Sequence, residues 1–193
     1  MAISKKKSVT NRREFLAGAG AALSISAIAG FTSCEYPADT ATVTIPANGK
    51  IKHNPSVCTG CGVCSLMCSL YHEKEVHVSL SRLELVRDPF EAVYSMNVCR
   101  QCLSPSCYQS CPKKDSALCI DQATGVKYIN SDQCDGCGEC ILGCPLEPAR
   151  VKLNPVTKLA FKCDLCRGRG NGPICMEYCA QNALALAPGN GEV

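Results

Sequence analysis

Sixteen of the eighteen cysteines in this 193-residue chain fall into four groups of four, and their spacing constrains the fold more than any other feature. The groups are Cys58, Cys61, Cys64 and Cys68; Cys99, Cys102, Cys107 and Cys111; Cys134, Cys137, Cys140 and Cys144; and Cys163, Cys166, Cys175 and Cys179. Groups one and three share the spacing C-x2-C-x2-C-x3-C, whereas groups two and four share C-x2-C, a longer gap and C-x3-C. This alternation indicates a duplicated unit of two groups. Only Cys34 and Cys119 lie outside the groups.

The composition leaves little material for an aliphatic core. The chain has no Trp, only 5% aromatic residues, and a hydrophobic content of 46% to which the cysteines contribute a good part. Something other than aliphatic packing must therefore hold much of the fold together. This composition excludes a TIM barrel, a coiled coil and a multi-pass membrane protein. Charged residues are nearly balanced and make up 19%, which argues against a disordered chain.

The triplet spacing in groups one and three suits an iron–sulfur cluster. A cubane cluster needs four thiolates, and three of them within seven residues can hold it only if the chain turns tightly between them. Glycines stand at the required turns and reach positive φ without strain; they are Gly60, Gly62, Gly136 and Gly138. The fourth Cys of each group is then expected on a departing helix, from which it ligates a second cluster.

Three other interpretations of the cysteines remain weaker. A disulfide scaffold suits an even cysteine count in an exported chain, but it does not explain the triplets. Structural zinc uses paired C-x2-C units, which fits groups two and four but not groups one and three. A thiol redox enzyme with C-x-x-C would not need four groups. The sequence therefore predicts four [4Fe–4S] clusters on sixteen cysteines, and no catalytic constellation is visible beside them.

The first 34 residues are predicted to be an export signal. Basic residues, among them Arg12 and Arg13, precede an apolar run from 15 to 31, and the segment 10–16 resembles the twin-arginine motif. A single membrane anchor is the alternative, but the Gly and Ala content of the run favours an export signal. Such export implies that the protein reaches the periplasm, or the outer face of the cytoplasmic membrane, already folded around its cofactor.

The segment after the signal is predicted to be a linker at 35–49. Cys34 at its start loosely resembles a lipidation site, and the alternative is an incidental Cys near an ordinary cleavage site. The chain has 20 basic and 17 acidic residues, and the segment 1–34 holds five of the basic residues and one of the acidic ones. The rest of the chain therefore has 15 basic and 16 acidic residues. It lacks the excess of basic residues that is typical of nucleic-acid binding.

Short strands and helices are predicted throughout the domain 50–193. Strand-like runs are 50–53, 83–86, 93–96, 126–129, 150–153, 159–162 and 183–186. Helices are predicted to begin near Ser65, Ser106, Glu139 and Ile174, each carrying the fourth Cys of its group. The predicted fold class is α+β, with tandem two-cluster ferredoxin-like modules of short β-hairpins and short helices wrapped around the clusters.

The span 50–187 resembles the four-cluster iron–sulfur subunits of the dimethyl sulfoxide reductase family of molybdenum or tungsten enzymes. The matching stretches are 99–107, 162–166 and 173–175. The segments 68–73 and 79–82 are similar to a smaller branch that includes electron-transfer partners of tungsten aldehyde oxidoreductase-like enzymes. The resemblance implies an electron-transfer subunit of anaerobic respiration that is not an enzyme by itself. Its partners would be a large molybdopterin-containing catalytic subunit and a membrane quinone-interacting subunit or other carrier; a free-standing exported polyferredoxin is the alternative.

The residues alone leave open whether group one pairs with group two or with group four. In the family that the chain resembles, group one pairs with group four and group two with group three, which implies four ligand sets, here numbered I to IV. Set I is Cys58, Cys61, Cys64 and Cys179; set II is Cys68, Cys163, Cys166 and Cys175; set III is Cys99, Cys102, Cys107 and Cys144; and set IV is Cys111, Cys134, Cys137 and Cys140.

Several other residues near the groups have less specific interpretations. Five basic side chains could offset cluster charge, but an ordinary surface position is the preferred interpretation for each; they are Arg100, Lys113, Lys162, Arg167 and Arg169. His72 follows Cys68 by four positions. A surface or hydrogen-bonded residue is the preferred interpretation, and a role near a cluster is the alternative. Cys119 is interpreted as a small buried residue rather than a ligand.

Overall fold

The structure is a computed structural model that describes residues 44–46, 48–88 and 90–189. The predicted export signal with Arg12 and Arg13 lies outside the described residues, as do Cys34 and most of the predicted linker. The described strands are β1 (Lys50–His53), β2 (Leu83–Asp88), β3 (Val93–Val98), β4 (Leu118–Ile120), β5 (Lys127–Ile129), β6 (Val151–Leu153), β7 (Ala160–Lys162) and β8 (Leu184–Ala187). The described helices are α1 (Val63–Glu73), α2 (Ser106–Gln109), α3 (Glu139–Leu142) and α4 (Ile174–Glu177), with a 3-10 turn at Val78–Leu80.

The strands pair into four antiparallel sheets of two strands each. Three of them are hairpins of consecutive strands, β2–β3, β4–β5 and β6–β7. The fourth joins the first strand to the last, with Lys50 opposite Ala187 and His53 opposite Leu184. Two-stranded sheets are marginally stable by themselves, so this fold needs further support from packing or from bound groups.

The predicted α+β fold class is confirmed, since short strands and short helices alternate along the domain. Most predicted strands coincide with observed ones to within two residues. Strand β4 is missing from the prediction because its three residues centre on Cys119 and show no clear alternation. It pairs with β5 through Leu118 and Ile129 at one end of the ladder.

The prediction that each short helix carries the fourth Cys of its group is wrong for three helices. Only α1, with eleven residues, includes its fourth Cys. Each of the four-residue helices α2, α3 and α4 carries the third Cys instead, and the fourth lies two residues past the helix end. Cys111 and Cys144 each precede a proline, and the residue before proline disfavours the helical conformation.

The hydrophobic core is small and includes cysteines throughout. Its larger part packs Ile51, Leu83, Val126 and Leu165 with Cys64, Cys68 and Cys175. The smaller part packs Leu118, Val151 and Ala160 around Cys140. Among the described residues, every helix is far too short to span a bilayer.

Candidate metal centres

Ligand set I lines a cavity of about 370 Å³ between the loop after β1 and the start of β8. Gly60 and Gly62 turn this loop with φ of 66° and 81°. A Cβ atom at Gly60 would lie 2.4 Å from the ring of Tyr94, so a larger residue there would force the ring to move. The amide of Gly60 lies 3.5 Å from the Cys58 sulfur and donates to it, as backbone amides do around iron–sulfur centres.

Ligand set III lines a second cavity, of about 360 Å³. The loop turns at Gln101, whose φ is 52°, and the backbone amide of Gln101 donates to the Cys99 sulfur over 3.4 Å. The amide of Arg150 donates to the Cys144 sulfur over 3.3 Å. The loop therefore forms the same turn and amide-to-sulfur contacts as at set I, without a glycine.

Ligand set IV lines a third cavity, of about 330 Å³. Its loop repeats the turns of set I, with Gly136 and Gly138 at φ of 71° and 85°. Each of the three cavities is thus lined by the four cysteines of one ligand set.

Ligand set II is the most deeply buried of the four. Cys68, Cys166 and Cys175 are 4–5% exposed and lie close enough for their thiols to repel one another as thiolates. The amide of Ile174 donates to the Cys166 sulfur over 3.5 Å. The structure thus brings together the thiols of all four sets implied by the resemblance, while the identity of the bound group stays a prediction.

The four sets follow one another in order along the domain. Helix α1 carries one cysteine of set I and one of set II, and it packs against α4, which carries another of set II. Helix α2 carries Cys107 of set III, helix α3 carries Cys140 of set IV, and these two helices pack against each other. The side chain of Gln101, in the loop of set III, donates to the carbonyl of Cys163 in set II over 2.7 Å. Exposed thiols occur only in the two outer sets, at Cys61 and Cys137.

Several of the buried thiols in these sets are poor acids in the absence of a bound cation. Burial, together with neighbouring thiols, raises the pKa of Cys107 to about 11 and the pKa of Cys140 and of Cys166 to about 12. The pKa of Cys163 and of Cys175 lies well above the ordinary value for the same reasons. A coordinating metal deprotonates such thiols outright, and all-sulfur donor sets suit iron–sulfur clusters. The residues present therefore fit the cofactor that the sequence predicts.

The surface interpretation is wrong for Lys162, and the Arg169 side chain is also largely covered, at 15% exposed. Lys162 is only 2% exposed, because β7 carries it into the space between sets II and III. The side chains of Lys113 and Arg167 are 48% and 41% exposed, as expected for surface residues. The sequence offers no local signal for the burial of Lys162, since its position depends on the distant loop around Gln101.

His72 is hydrogen-bonded rather than a surface residue. Its Nε2 atom lies 3.5 Å from the Cys166 sulfur and 3.6 Å from an Asp164 oxygen. Burial and the nearby Arg82 guanidinium lower the pKa of His72 to about 4, so the imidazole is neutral at neutral pH. Together His72, Asp164 and Cys166 place ligand atoms within 4.8 Å of one another, but Cys166 makes this triad part of set II.

Cys119 lies outside all four sets. Its thiol donates to the carbonyl of Ser116 over 3.3 Å, and the residue is half-buried. This contact agrees with the interpretation of Cys119 as a small packing residue.

The loops around the four-thiol sets combine left-handed turns, backbone amides that donate to thiol sulfurs, and short flanking hairpins. These features define a ferredoxin-like iron–sulfur protein. Residues 90–188, just over half of the chain, match the family model described as the 4Fe-4S dicluster domain. The chain belongs to this family.

Curated relatives extend the similarity beyond that span. NrfC of Escherichia coli is 33% identical over 188 residues, which cover 91% of this chain and 79% of NrfC. The polyferredoxin-like subunit of aliphatic sulfonate oxidoreductase from Pyrococcus furiosus is 34% identical, covering 70% of this chain and 76% of that subunit. The B subunit of polysulfide reductase from Wolinella succinogenes is 33% identical, covering 69% of this chain and 73% of that protein. The chain is thus homologous to iron–sulfur electron-transfer subunits of oxidoreductases.

Proposed function

We propose that the chain holds four [4Fe–4S] clusters, one in each ligand set, and relays electrons as a subunit of a larger oxidoreductase complex. When bound, such clusters supply one-electron redox centres whose potentials depend on hydrogen bonds to sulfur, local charge and solvent exposure. The observation that carries the proposal is the convergence of sixteen cysteines into four sets, three of which each line one cavity with all four of their members.

The order of the sets supports a relay with two surface ends. Sets I and IV are the outer sets, and each has one exposed thiol, Cys61 and Cys137 respectively. Set II is buried, and Gln101 joins it to set III. Partner proteins that deliver and accept electrons would therefore meet the chain near Cys61 and near Cys137.

The proposed partners are a large catalytic subunit that contains molybdopterin, with molybdenum or tungsten, and a membrane quinone-interacting subunit or another carrier. Two relatives are named as parts of larger enzymes, an aliphatic sulfonate oxidoreductase and polysulfide reductase. The resemblance of 99–107 and 162–166 to subunits of the dimethyl sulfoxide reductase family supports the same assignment. Residues 10–16 support export by the twin-arginine route, and Cys34 could add a lipid anchor.

Anaerobic purification of the full chain from its native cells tests the proposal. The expected result is a brown protein with about sixteen irons per chain, which elutes with a large subunit that contains molybdenum or tungsten. A loaded chain that elutes alone would make it a free-standing polyferredoxin. A colourless, fully folded chain, or one with bound zinc, would overturn the cluster assignment itself.

A further inference from the structure

Two lysine ammonium groups are buried between ligand sets II and III. Lys162, at the end of β7, is 2% exposed, and Lys127, at the start of β5, is 3% exposed. Both line the cavity of set III. A buried ammonium group costs several kcal/mol unless an opposite charge and hydrogen bonds compensate it, so two of them side by side require an explanation.

Lys162 contacts both central sets. Its Nζ atom donates to the carbonyl of Cys163, a set II residue, over 3.2 Å, and to the carbonyl of Lys127 over 2.5 Å. Lys162 also lines the cavity of set III beside Cys99 and Cys107, and negative charge on these two thiols and on Cys163 raises the pKa of Lys162. Both carbonyl partners are neutral, so only thiolates of the two sets can balance the charge of the ammonium group.

Lys127 contacts only the side of set III. Its Nζ atom donates to the Asn48 side chain over 3.0 Å and to the carbonyl of Gln101 over 3.4 Å. The Gln101 side chain, 1% exposed, accepts from the Lys127 amide over 2.7 Å and so fixes the strand against the loop of set III. Neither of these partners of the Lys127 ammonium group belongs to set II.

Within the described residues, neither lysine has a carboxylate partner. The ion pairs in this part of the chain involve other side chains: His72, Arg82, Lys113, Arg167 and Arg169 with acidic partners. The groups nearby that can carry negative charge are the thiolates of sets II and III. The groups available to balance the charge of the two lysines are therefore thiolates, whereas a conventional salt bridge would use a carboxylate.

We propose that Lys162 is the shared counter-ion of ligand sets II and III, and that its charge raises the reduction potentials of both central clusters, while Lys127 raises that of set III alone. This inference rests on the proposed function. Reduction adds one electron and no proton, so a cluster with its thiolates becomes one charge more negative. A buried cation beside the ligands stabilises that reduced form more than the oxidised form, and the low local dielectric strengthens the effect.

Lys113 provides a matched comparison at an outer set. It lines the cavity of set IV, but its side chain is 48% exposed and its Nζ atom lies 3.2 Å from an Asp135 oxygen. Solvent and the carboxylate both screen this charge. Removing it should alter a reduction potential far less than removing Lys162.

The test is a redox titration, followed by electron paramagnetic resonance, of the anaerobically loaded full chain and its Lys162→Met, Lys162→Gln, Lys127→Met and Lys113→Met variants. Iron is counted in every sample. Both Lys162 variants should lower two of four midpoint potentials, with about a tenfold fall in the ratio of reduced to oxidised cluster at a fixed potential, equal to 59 mV for one electron. Lys127→Met should lower one potential, and Lys113→Met should leave all four nearly unchanged. Gln keeps an N–H donor, so its agreement with Met separates charge from hydrogen bonding.

Loaded Lys162 variants with unchanged potentials would overturn the inference, as would equal shifts from Lys162→Met and Lys113→Met. If both Lys162 variants lose iron, the Lys127→Met variant provides the test instead. Four midpoint potentials in that variant equal to those of the unmodified chain would overturn the inference. Failure of the proposed function would look different, because the unmodified chain would then lack iron and show no cluster signals.

Discussion

The Nε2 atom of His72 lies 3.5 Å from the Sγ atom of Cys166, although 94 positions separate the two residues in the sequence. The imidazole is held by an edge-to-face contact with Tyr71 and by Asp164, which in turn accepts a hydrogen bond of 2.8 Å from Arg82. In the tautomer with its proton on Nε2, the neutral imidazole donates to this sulfur, and a donor to a ligand sulfur favours the electron-rich, reduced form of a metal centre.

His72→Phe should lower the midpoint potential of one cluster, that of set II, without loss of iron. The loss of one ordinary hydrogen bond corresponds to about 1 kcal/mol, or roughly 40 mV for one electron. Redox titration of the loaded chain measures this shift. His77→Phe is the control, because His77 is exposed and its ring contacts only Ser79. Movement of several potentials, or of none, would contradict a local role for His72.

Cys137→Ala should remove one [4Fe–4S] centre and leave three. Cys137 lines the cavity of set IV and is exposed, so its replacement disturbs little else. The iron content should fall by up to about four per chain, with one spectroscopic signal lost or changed. Cys119→Ala is the matched control and should keep all four centres, since its thiol contacts Ser116 rather than a ligand set. Four intact centres in Cys137→Ala would contradict the assignment of set IV.

Removal of iron by a chelator under reducing conditions should unfold most of the described domain. The core is small, and the sheets have two strands each, so little packing remains to hold the loops once the cavities between the thiols are empty. Circular dichroism should show the loss of a cooperative thermal transition, and restoration of iron and sulfide should recover it. A chelated chain that still melts cooperatively would show that packing alone holds the fold.

Gly60→Ala should destabilise the loop of set I specifically. A left-handed φ costs a non-glycine residue about 1–2 kcal/mol, and the new Cβ atom would also clash with the Tyr94 ring. We expect this variant to lose one cluster faster on exposure to air. The decrease of the visible absorption of the cluster measures the rate of this loss. Gly170→Ala is the control, because no described atom lies within 4 Å of its added Cβ atom. Equal rates of loss in the two variants would contradict the steric explanation.

Replacement of both Arg12 and Arg13 by lysine should retain the loaded protein inside the cell. The twin-arginine route depends on the arginine pair rather than on charge alone. Cell fractionation with detection of the chain in each compartment measures the result. Replacement of Lys5 and Lys6 by arginine, which keeps the natural pair intact, should leave export unchanged. Full export of the variant that lacks both arginines of the pair would refute the targeting prediction.

Local features of the fold were accessible from the sequence. The turn glycines and the alternating runs mark the loops and most strands, because these elements depend on neighbours a few residues away. Helix starts near Ser106, Glu139 and Ile174 agree with α2, α3 and α4. The helix ends were harder to predict, and the prolines after Cys111 and Cys144 were the signal that the helices stop early.

Features that depend on distant contacts were not accessible in this way. Lys162 looks like a surface lysine in the sequence, and only the packing of β7 against the loop of Gln101 buries it. The partner of His72 lies 94 residues further along the chain. Spacing within a group indicates which cysteines share a loop, but it does not show which groups meet, and the implied ligand sets therefore depended on resemblance.

The antiparallel ladder between β1 and β8 joins the two ends of the domain, and this limits which ligand sets can be complete before synthesis of the chain ends. Sets I and II each take cysteines from both ends of the domain, so neither can be complete before Cys175 and Cys179 emerge. Sets III and IV draw only on residues 99–144 and can assemble while synthesis continues. A chain that stops before residue 163 would thus hold complete sets III and IV alone, and all four sets can be complete only after Cys179, just before the residues of β8 that close the ladder.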